Sequence, residues 1–354
     1  HSTENARGTA CMTKKIKWAI AVVASPFILF GLLALLFYFP PFQNWAVRQV
    51  AAYASDKMGM EISVAHVKLE FPLDLGIEGV KAIQPNDSLP QVKDTIADVR
   101  KIVADVRLWP LLHKQVEIDE LAVHDMKVNT ANFIHEARVK GCVGMLELKA
   151  HGIDLGAETL KVDAANLKDA MVDVALSDTV PKDTAKTENF WKIHVDKLHV
   201  SHTDVTVHMP GDTLKVQAYL GETIAERGFF DLFKGRYQVE KFDWTGGRLC
   251  YDNNFKARVK GLDYNHIALT DVAIRIDSLR YLAPELSLNL RKCAFKEQSG
   301  LAVSALQGPL SLDSVRLKLP NLYFQTPHSE LHAQVNLDLN AFDESPGKFH
   351  IRMN

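Results

Sequence analysis

The sequence predicts a mostly β protein in which a single N-terminal transmembrane helix precedes an elongated antiparallel β-repeat array, shaped as an open, taco-like groove. Three observations lead to this prediction. An uncharged segment near the N-terminus is long enough to cross a bilayer, the rest of the chain alternates apolar and polar residues, and the alternation recurs as a repeat. The 354-residue chain has a formal net charge of −2, so no excess of positive charge indicates nucleic-acid binding.

The uncharged segment covers residues 18–39. Its 22 residues would span roughly 33 Å as an α-helix, which is enough for a hydrocarbon core. Lys14, Lys15 and Lys17 precede it, so the positive-inside rule places the N-terminus in the cytoplasm and the bulk of the chain on the other side. A cleaved signal peptide is the alternative, but its apolar core would be shorter and would end at small residues. Residues 12–41 are therefore predicted to form a cytoplasmic stub and an uncleaved anchor.

The segments on either side of the anchor complete the predicted domain organisation. Residues 1–11 are interpreted as upstream or non-native sequence, because Met12 begins a typical lysine-rich start. Residues 42–59 are predicted to form an amphipathic helix that either lies on the membrane surface or caps the fold. Residues 60–354 are predicted to be the β-repeat groove. The last residues still alternate like a strand, so we expect the protein to continue beyond Asn354.

Six units share one pattern of apolar residues, at offsets −2, 0, 3, 5, 10 and 12 from a reference residue. The reference residues are Ile118, Val162, Val195, Val239, Ile276 and Leu312. Among the 36 positions only Thr130 is not apolar. An acidic residue follows every reference residue: Asp119, Asp163, Asp196, Glu240, Asp277 and Asp313. The apolar content of the whole chain is 47%, so chance does not explain the pattern.

The offsets predict how each unit is built. The odd step from offset 0 to offset 3 would reverse the exposed face unless one residue were inserted, so we predict a β-bulge or corner at the acidic residue. The four residues between offsets 5 and 10, such as those at 245–248 and 282–285, are predicted to be hairpin turns. Each unit then presents one apolar and one polar sheet face.

Several short motifs occur in a characteristic order after the anchor. They are Phe39-Pro40-Pro41-Phe42, then residues 59–64, 69–75 and 106–112, and finally residues 116–121. In order and spacing this resembles the N-terminal part of the TamB proteins, within the AsmA-like group (translocation and assembly module). The resemblance implies a bacterial inner-membrane anchor and a periplasmic β-groove that carries phospholipids toward the outer membrane. Because no nucleophile, phosphate-binding or metal motif is found, we interpret the chain as a scaffold without enzymatic activity or a cofactor. It also implies an outer-membrane barrel partner, reached through a C-terminal region that is missing here.

The resemblance leaves two functions open. One is the lipid conduit; the alternative is an assembly factor for outer-membrane β-barrel proteins that acts by β-augmentation. In the conduit the apolar face stays open to acyl chains, whereas in an ordinary β-sandwich it would be a closed core. The residues predicted to line the groove are Leu121, Val123, Leu198, Val200, Val205, Phe242, Trp244, Leu249, Leu279, Tyr281, Leu286, Leu317 and Leu322.

No residue pattern predicts a catalytic or metal site. His194, His199, His202 and His208 are close in sequence, but alternation places the first two on the polar face and His202 in a turn. The four cysteines, Cys11, Cys142, Cys250 and Cys293, lack metal-binding spacing and are interpreted as packing residues, with one disulfide as the alternative. Asp followed by Ser or Thr recurs, which is typical either of a glycosylation acceptor or of ordinary turns.

Overall fold

A computed structural model describes residues 60–70, 74–85, 91–106, 118–130, 137–154, 158–176, 190–339 and 347–353, together with Arg48, Ala51, Ala52 and Ser55. The predicted anchor lies outside these residues. Of the predicted helix at 42–59, the four named residues are described and are helical. Among the described residues, no helix is both long enough and apolar enough to span a bilayer.

Sixteen β-strands account for most of the described chain, so the mostly β class is confirmed. A short 3₁₀ turn at Pro210–Asp212 lies among them. The strands are β1 Glu61–Glu70, β2 Asp74–Pro85, β3 Lys93–Val106, β4 Ile118–Asn129, β5 Ala137–Asp154, β6 Thr159–Leu176, β7 Lys192–His208, β8 Leu214–Asp231, β9 Arg236–Asn253, β10 His266–Leu282, β11 Glu285–Glu297, β12 Ala302–Val303, β13 Ala305–Leu312, β14 Arg316–Gln325, β15 Glu330–Asp338 and β16 Gly347–Met353.

The strands form one open sheet in which neighbours in sequence are neighbours in space. The order runs from β1 to β16, with the two-residue strand β12 pairing beside β11. Every pairing is antiparallel except that of β6 with β7, which is parallel. The described strands make extensive contacts only with their neighbours in the sheet, so no second sheet of the described chain covers either face. The closed sandwich considered above is therefore not the fold of this part of the protein.

Along two lines across the sheet, the alternation of apolar and polar side chains within the strands is interrupted and restarts. The first kink line passes through Asp163, Asp196, Arg227, Glu240 and Ser278, which are opposite one another on β6 to β10. Arg227 and Ser278 have left-handed backbone conformations, with φ of 52° and 55°. On both β7 and β9 the acidic residue and the lysine after it are exposed, so the alternation restarts there. The corner predicted at the acidic residues is thus confirmed in these units, but no residue is inserted as in a β-bulge, because the strand register is the same on both sides of Asp196 and Glu240.

Asp313, the acidic residue of the last unit, lies in the turn between β13 and β14 instead. Its Oδ1 accepts hydrogen bonds from the backbone N–H groups of Val315 at 2.8 Å and Arg316 at 2.7 Å. These two hydrogen bonds stabilise the charged carboxylate and hold the pKa of Asp313 below its usual range.

The second kink line corrects one prediction. Its residues have left-handed conformations: Gly79, Asp125, Asp169, His202, Gly246 and Asp271. Residues 245–248, predicted to be a hairpin turn, lie inside β9, and the corresponding residues of β4, β6, β7 and β14 also lie inside their strands. A single left-handed residue bends a strand and shifts its alternation without ending the ladder, which the apolar pattern alone does not distinguish from a turn. Only residues 282–285 form the predicted hairpin.

A substitution at the first kink line tests this conformation. Ser278→Gly is expected to raise the free energy of unfolding by up to about 1 kcal/mol, because a left-handed backbone is costly for any residue with a Cβ and not for glycine. Ser287→Gly, in the extended part of β11, is the matched control and is expected to lower stability by about 0.5–1 kcal/mol. Denaturant titration measures both, and equal signs for the two variants would contradict the assignment.

Candidate apolar binding face

Strand register brings apolar side chains into continuous rows that run across the strands. The central row has one residue from each of β1 to β11: Val67, Ile77, Ile102, Val123, Leu146, Leu167, Val200, Thr223, Trp244, Ile274 and Cys293. Thr223 is the one residue in it that is not apolar. This row contains three of the predicted lining residues.

A second row runs beside the central row, two residues along each strand except β11, where a register shift makes the separation three. It consists of Leu75, Ala104, Leu121, Leu148, Ala165, Leu198, Ala225, Phe242, Ile276 and Leu290. Together the central and second rows form a two-residue-wide apolar band, which we call the apolar face.

The other predicted lining residues extend this face toward its two edges. Beyond the second kink line, Val205 of β7 and Leu249 of β9 both pair with Ala218 of β8, which lies between them. Beyond the first kink line, Leu279 pairs with Val239. An edge row follows, made of Leu160, Ile193, Phe230, Tyr237, Tyr281, Leu286, Leu312, Leu317 and Leu337. Leu322 pairs with Ala333. Tyr281 shares its offset with Val200 and Trp244, yet it lies in the edge row, because β10 runs opposite to β7 and β9 and therefore leaves the first kink line toward the edge.

The side chains of the apolar face shield one another. Val123, Val200 and Trp244 each retain only 7% of their accessible surface, although no second sheet of the described chain lies over them. Side chains on a flat, uncovered sheet remain partly exposed to water, so within the described chain this burial comes from neighbours on the same face.

Trp244 occupies a place that only glycine leaves open. A Cβ on Gly247 would lie 2.4 Å from Nε1 and Cε2 of the indole, so the ring lies against the bare backbone at the second kink line. Within the described chain, neither Trp244 Nε1 nor the neighbouring Thr223 Oγ1 has a hydrogen-bond partner.

The opposite face of the sheet is polar. Exposed ion pairs connect adjacent strands, such as Arg275 to Asp243 at 2.7 Å and Lys149 to Glu120 at 2.6 Å. The hydrogen bond that Lys149 donates to Glu120 raises the pKa of the lysine. Exposed pairs of this kind each contribute little to stability. Their effect is to keep this face in water, so that only the apolar face is available to apolar ligands.

The histidines lie along the polar face. His199 is held between the side chains of Asn166 at 3.0 Å and Glu222 at 2.6 Å. His208 contacts Asp173 at 3.2 Å, and the ring of His194 packs against Phe229. His202 lies inside β7 at the second kink line, so its predicted turn is wrong. The described residues contain no group of three or more potential metal ligands.

Sequence reasoning missed the contributions of β5 and β8, and that of β11 to the second row. Leu148, Ala225 and Leu290 belong to the second row but to none of the repeat units. Simple alternation was the available signal, as in Leu146-Glu147-Leu148. It predicts a strand but not which residue of a distant strand it will face.

Cysteines on the two faces of the sheet are expected to react with thiol reagents at different rates. Cys142, Cys250 and Cys293 are free thiols. Burial on the apolar face raises the pKa of the Cys293 thiol, so less of it is present as the reactive thiolate. Cys250 belongs to the polar face, where it pairs with Gln217. Under mildly alkaline conditions we expect iodoacetamide to modify Cys293 more slowly than Cys250, as measured by peptide mass spectrometry. Faster modification of Cys293 would contradict the burial.

No known protein family matches the chain. No curated protein matches it significantly either. The TamB resemblance therefore stays a prediction, and the functional argument depends on the geometry of the apolar face.

Proposed function

We propose that this protein is a lipid-binding scaffold, in which acyl chains lie along the apolar face and no bond is made or broken. The observation that carries the proposal is the central row, which continues over eleven adjacent strands on a sheet face that no other described strand covers. An uncovered apolar band of this length is unusual on a protein surface and marks a place for an apolar partner. Phospholipid fits, because its chains need apolar contact and its headgroup can remain in water.

The length of the face favours a conduit over a pocket for one lipid. Adjacent strands lie about 4.8 Å apart, so the central row is roughly 48 Å long. One acyl chain spans about half of a hydrocarbon core that is about 30 Å thick. The face therefore has room for several chains in succession, and no described residue of the central row is charged, so no charge would stop a chain from sliding along it.

Burial supports an open, bent groove. Val200 and Trp244 are shielded although the described chain has no covering sheet, which follows if the sheet bends toward its apolar face at the two kink lines. In such a groove an acyl chain contacts side chains on more than one side. Each methylene removed from water contributes about 0.8 kcal/mol, so even a short stretch of contact binds a chain.

The resemblance to TamB proteins supplies the cellular part of the proposal. An inner-membrane anchor at residues 18–39 would place the near end of the face beside a lipid source, with the rest of the sheet in the periplasm. Delivery toward the outer membrane, through a barrel partner, is the corresponding direction of transport.

The ends of the sheet favour a second candidate function. β1 and β16 are the first and last strands in the sheet order, so each has one edge that no described strand pairs with. A free edge can add a strand from another chain. Assembly of outer-membrane β-barrel proteins by β-augmentation would use these edges and not the apolar face.

A pair of experiments separates the two functions. The purified chain should release phospholipid that mass spectrometry identifies. A photo-crosslinking amino acid at Phe242 or Ile276, in the second row, should capture this lipid in cells. The same probe at Lys241 or Arg275, the adjacent residues on the polar face, should not.

Two results would count against the conduit. Equal lipid capture from both faces would mean that contact with lipid is nonspecific. Capture of client polypeptide at β1 or β16, without lipid at Phe242, would support the assembly function instead.

A further inference from the structure

The connection between β9 and β10 is longer than the topology requires. It consists of residues 254–265, whereas the antiparallel strands β10 and β11 are joined by two residues, Ala283 and Pro284. Two residues are enough to connect adjacent antiparallel strands. The additional residues are therefore not needed to close the hairpin.

A buried carboxylate gives this loop a defined shape. Asp263 is 3% exposed and accepts hydrogen bonds from the backbone N–H groups of Val259 at 2.9 Å and Asn265 at 3.0 Å. It also contacts Nδ1 of the buried His266 at 2.9 Å. The hydrogen bond from Val259, supported by those from His266 and Asn265, holds the pKa of Asp263 below its usual range. This stabilisation is fully present above the ordinary aspartate range and is lost only as the pH falls through the lowered pKa.

The apolar side chains of the loop point into solvent. Tyr264 is 76% exposed, Phe255 71%, Val259 62% and Leu262 56%. Three of them are the most exposed large apolar side chains of the described chain. Four exposed apolar residues on one ordered loop indicate a surface that another body covers.

All exposed charged side chains of the loop are positive. Lys256, Arg258 and Lys260 are exposed and alternate with the apolar residues. Asp263 is the only acidic residue between positions 254 and 265, and it lies inside the loop. Arg258 reaches Asp252, at the end of β9, at 3.4 Å. The exposed surface of the loop is therefore both apolar and cationic.

We propose that the 254–265 loop is a docking surface for an anionic lipid bilayer. Phe255, Val259, Leu262 and Tyr264 enter the interfacial region, and the three cations contact phosphate-bearing headgroups. Apolar residues interleaved with lysine and arginine are the composition that binds anionic membrane surfaces. The proposal does not depend on lipid transport along the apolar face, because the loop lies beyond the ends of β9 and β10.

The size of the loop favours a bilayer over a folded protein partner. A specific protein interface covers about 800 Å² on each partner, with some 20–30 residues. The loop has twelve residues between β9 and β10, which is far fewer. A membrane surface needs no shape complementarity, so a few apolar anchors and cations are enough.

A fluorescence experiment on the full chain tests the proposal. An environment-sensitive fluorescent amino acid replaces Tyr264, and the protein is held in nanodiscs of phosphatidylcholine, which shield the predicted anchor. Vesicles of phosphatidylcholine alone, or mixed with anionic phosphatidylglycerol, are then added. We expect a blue shift and quenching by brominated lipid with the anionic vesicles only. The same probe at His328, an exposed residue in the turn between β14 and β15, is expected to show neither change.

A charge variant completes the test. K256Q/R258Q/K260Q removes three cations that attract an anionic surface, so at least about tenfold more vesicles should be needed for the same shift. Because all three side chains are exposed, the fold measured by circular dichroism should be unchanged. An equal response to neutral and anionic vesicles, or an undiminished response of the variant, would overturn the proposal. A shift that requires added protein and not lipid would also overturn it and would assign the loop to a protein partner.

Discussion

Leu198→Asp is expected to abolish most lipid binding while leaving the protein folded. Leu198 lies in the second row between Ala165 and Ala225. An acyl chain that passes over this position would have to remove the new carboxylate from water without a partner, which costs several kcal/mol. A loss of about 3 kcal/mol corresponds to roughly a hundredfold weaker binding. Quantifying phospholipid in the purified protein by mass spectrometry measures the loss.

The matched control is Lys197→Asp, since Lys197 is the preceding residue of β7 and is exposed on the polar face. Its lipid content is expected to equal that of the unchanged protein. Folding of both variants is checked by thermal melting, because an open face lets the new carboxylate remain hydrated when no lipid is bound. Full lipid content in a folded Leu198→Asp protein would show that lipid does not use this face. Should Leu198→Asp fail to fold, Ile276→Asp places the same charge in the same row on β10.

Gly221→Ala is expected to lower the free energy of unfolding by about 1–3 kcal/mol, the usual cost of overpacking. Gly221 lies on β8 opposite His202, at the second kink line. An added Cβ would lie 2.6 Å from the carbonyl oxygen of Gly246 and 2.9 Å from that of Thr245. Both contacts are with the backbone of β9, so relief requires β8 and β9 to separate. Hydrogen exchange of the β8 and β9 amides measures the change locally, because long arrays need not unfold in one step.

Gly76→Ala provides the comparison for Gly221→Ala. Gly76 lies in the interior of β2, where an added Cβ would meet Lys68 only at an ordinary contact distance of 3.5 Å. Stability is expected to be unchanged or to rise by up to about 1 kcal/mol, because alanine restricts the unfolded chain. If the two variants were equally destabilised, close packing at the kink line would not be the cause.

The apolar face could largely be predicted from the sequence, because a strand that is apolar on one side has a period of two that any single segment displays. Val123, Val200 and Trp244 were identified from their own units and do share one row. The corners at Asp196 and Glu240 were also predictable, since an odd step between apolar residues means that the alternation restarts there.

The second kink line could not be predicted, because turns and bulges select the same residues. Gly246, with φ of 64°, would suit a hairpin turn as well as it suits a bend inside β9. The sequence also did not reveal whether two paired strands run parallel or antiparallel. Val162 and Val195 are 33 residues apart, and Val239 and Ile276 are 37 apart. Yet β6 and β7 are parallel, whereas β9 and β10 are antiparallel.

Because each described strand makes extensive contacts only with its neighbours in the sheet, the sheet can become longer or shorter without changing how the remaining strands pack. Each added hairpin would lengthen the sheet by about 10 Å while the kink lines kept the cross-section constant. Duplication or loss of a hairpin can therefore adjust the distance that the sheet spans without redesigning a core. In such an architecture, the number of strands determines the distance that the sheet spans, and selection can match that distance to the width of a compartment.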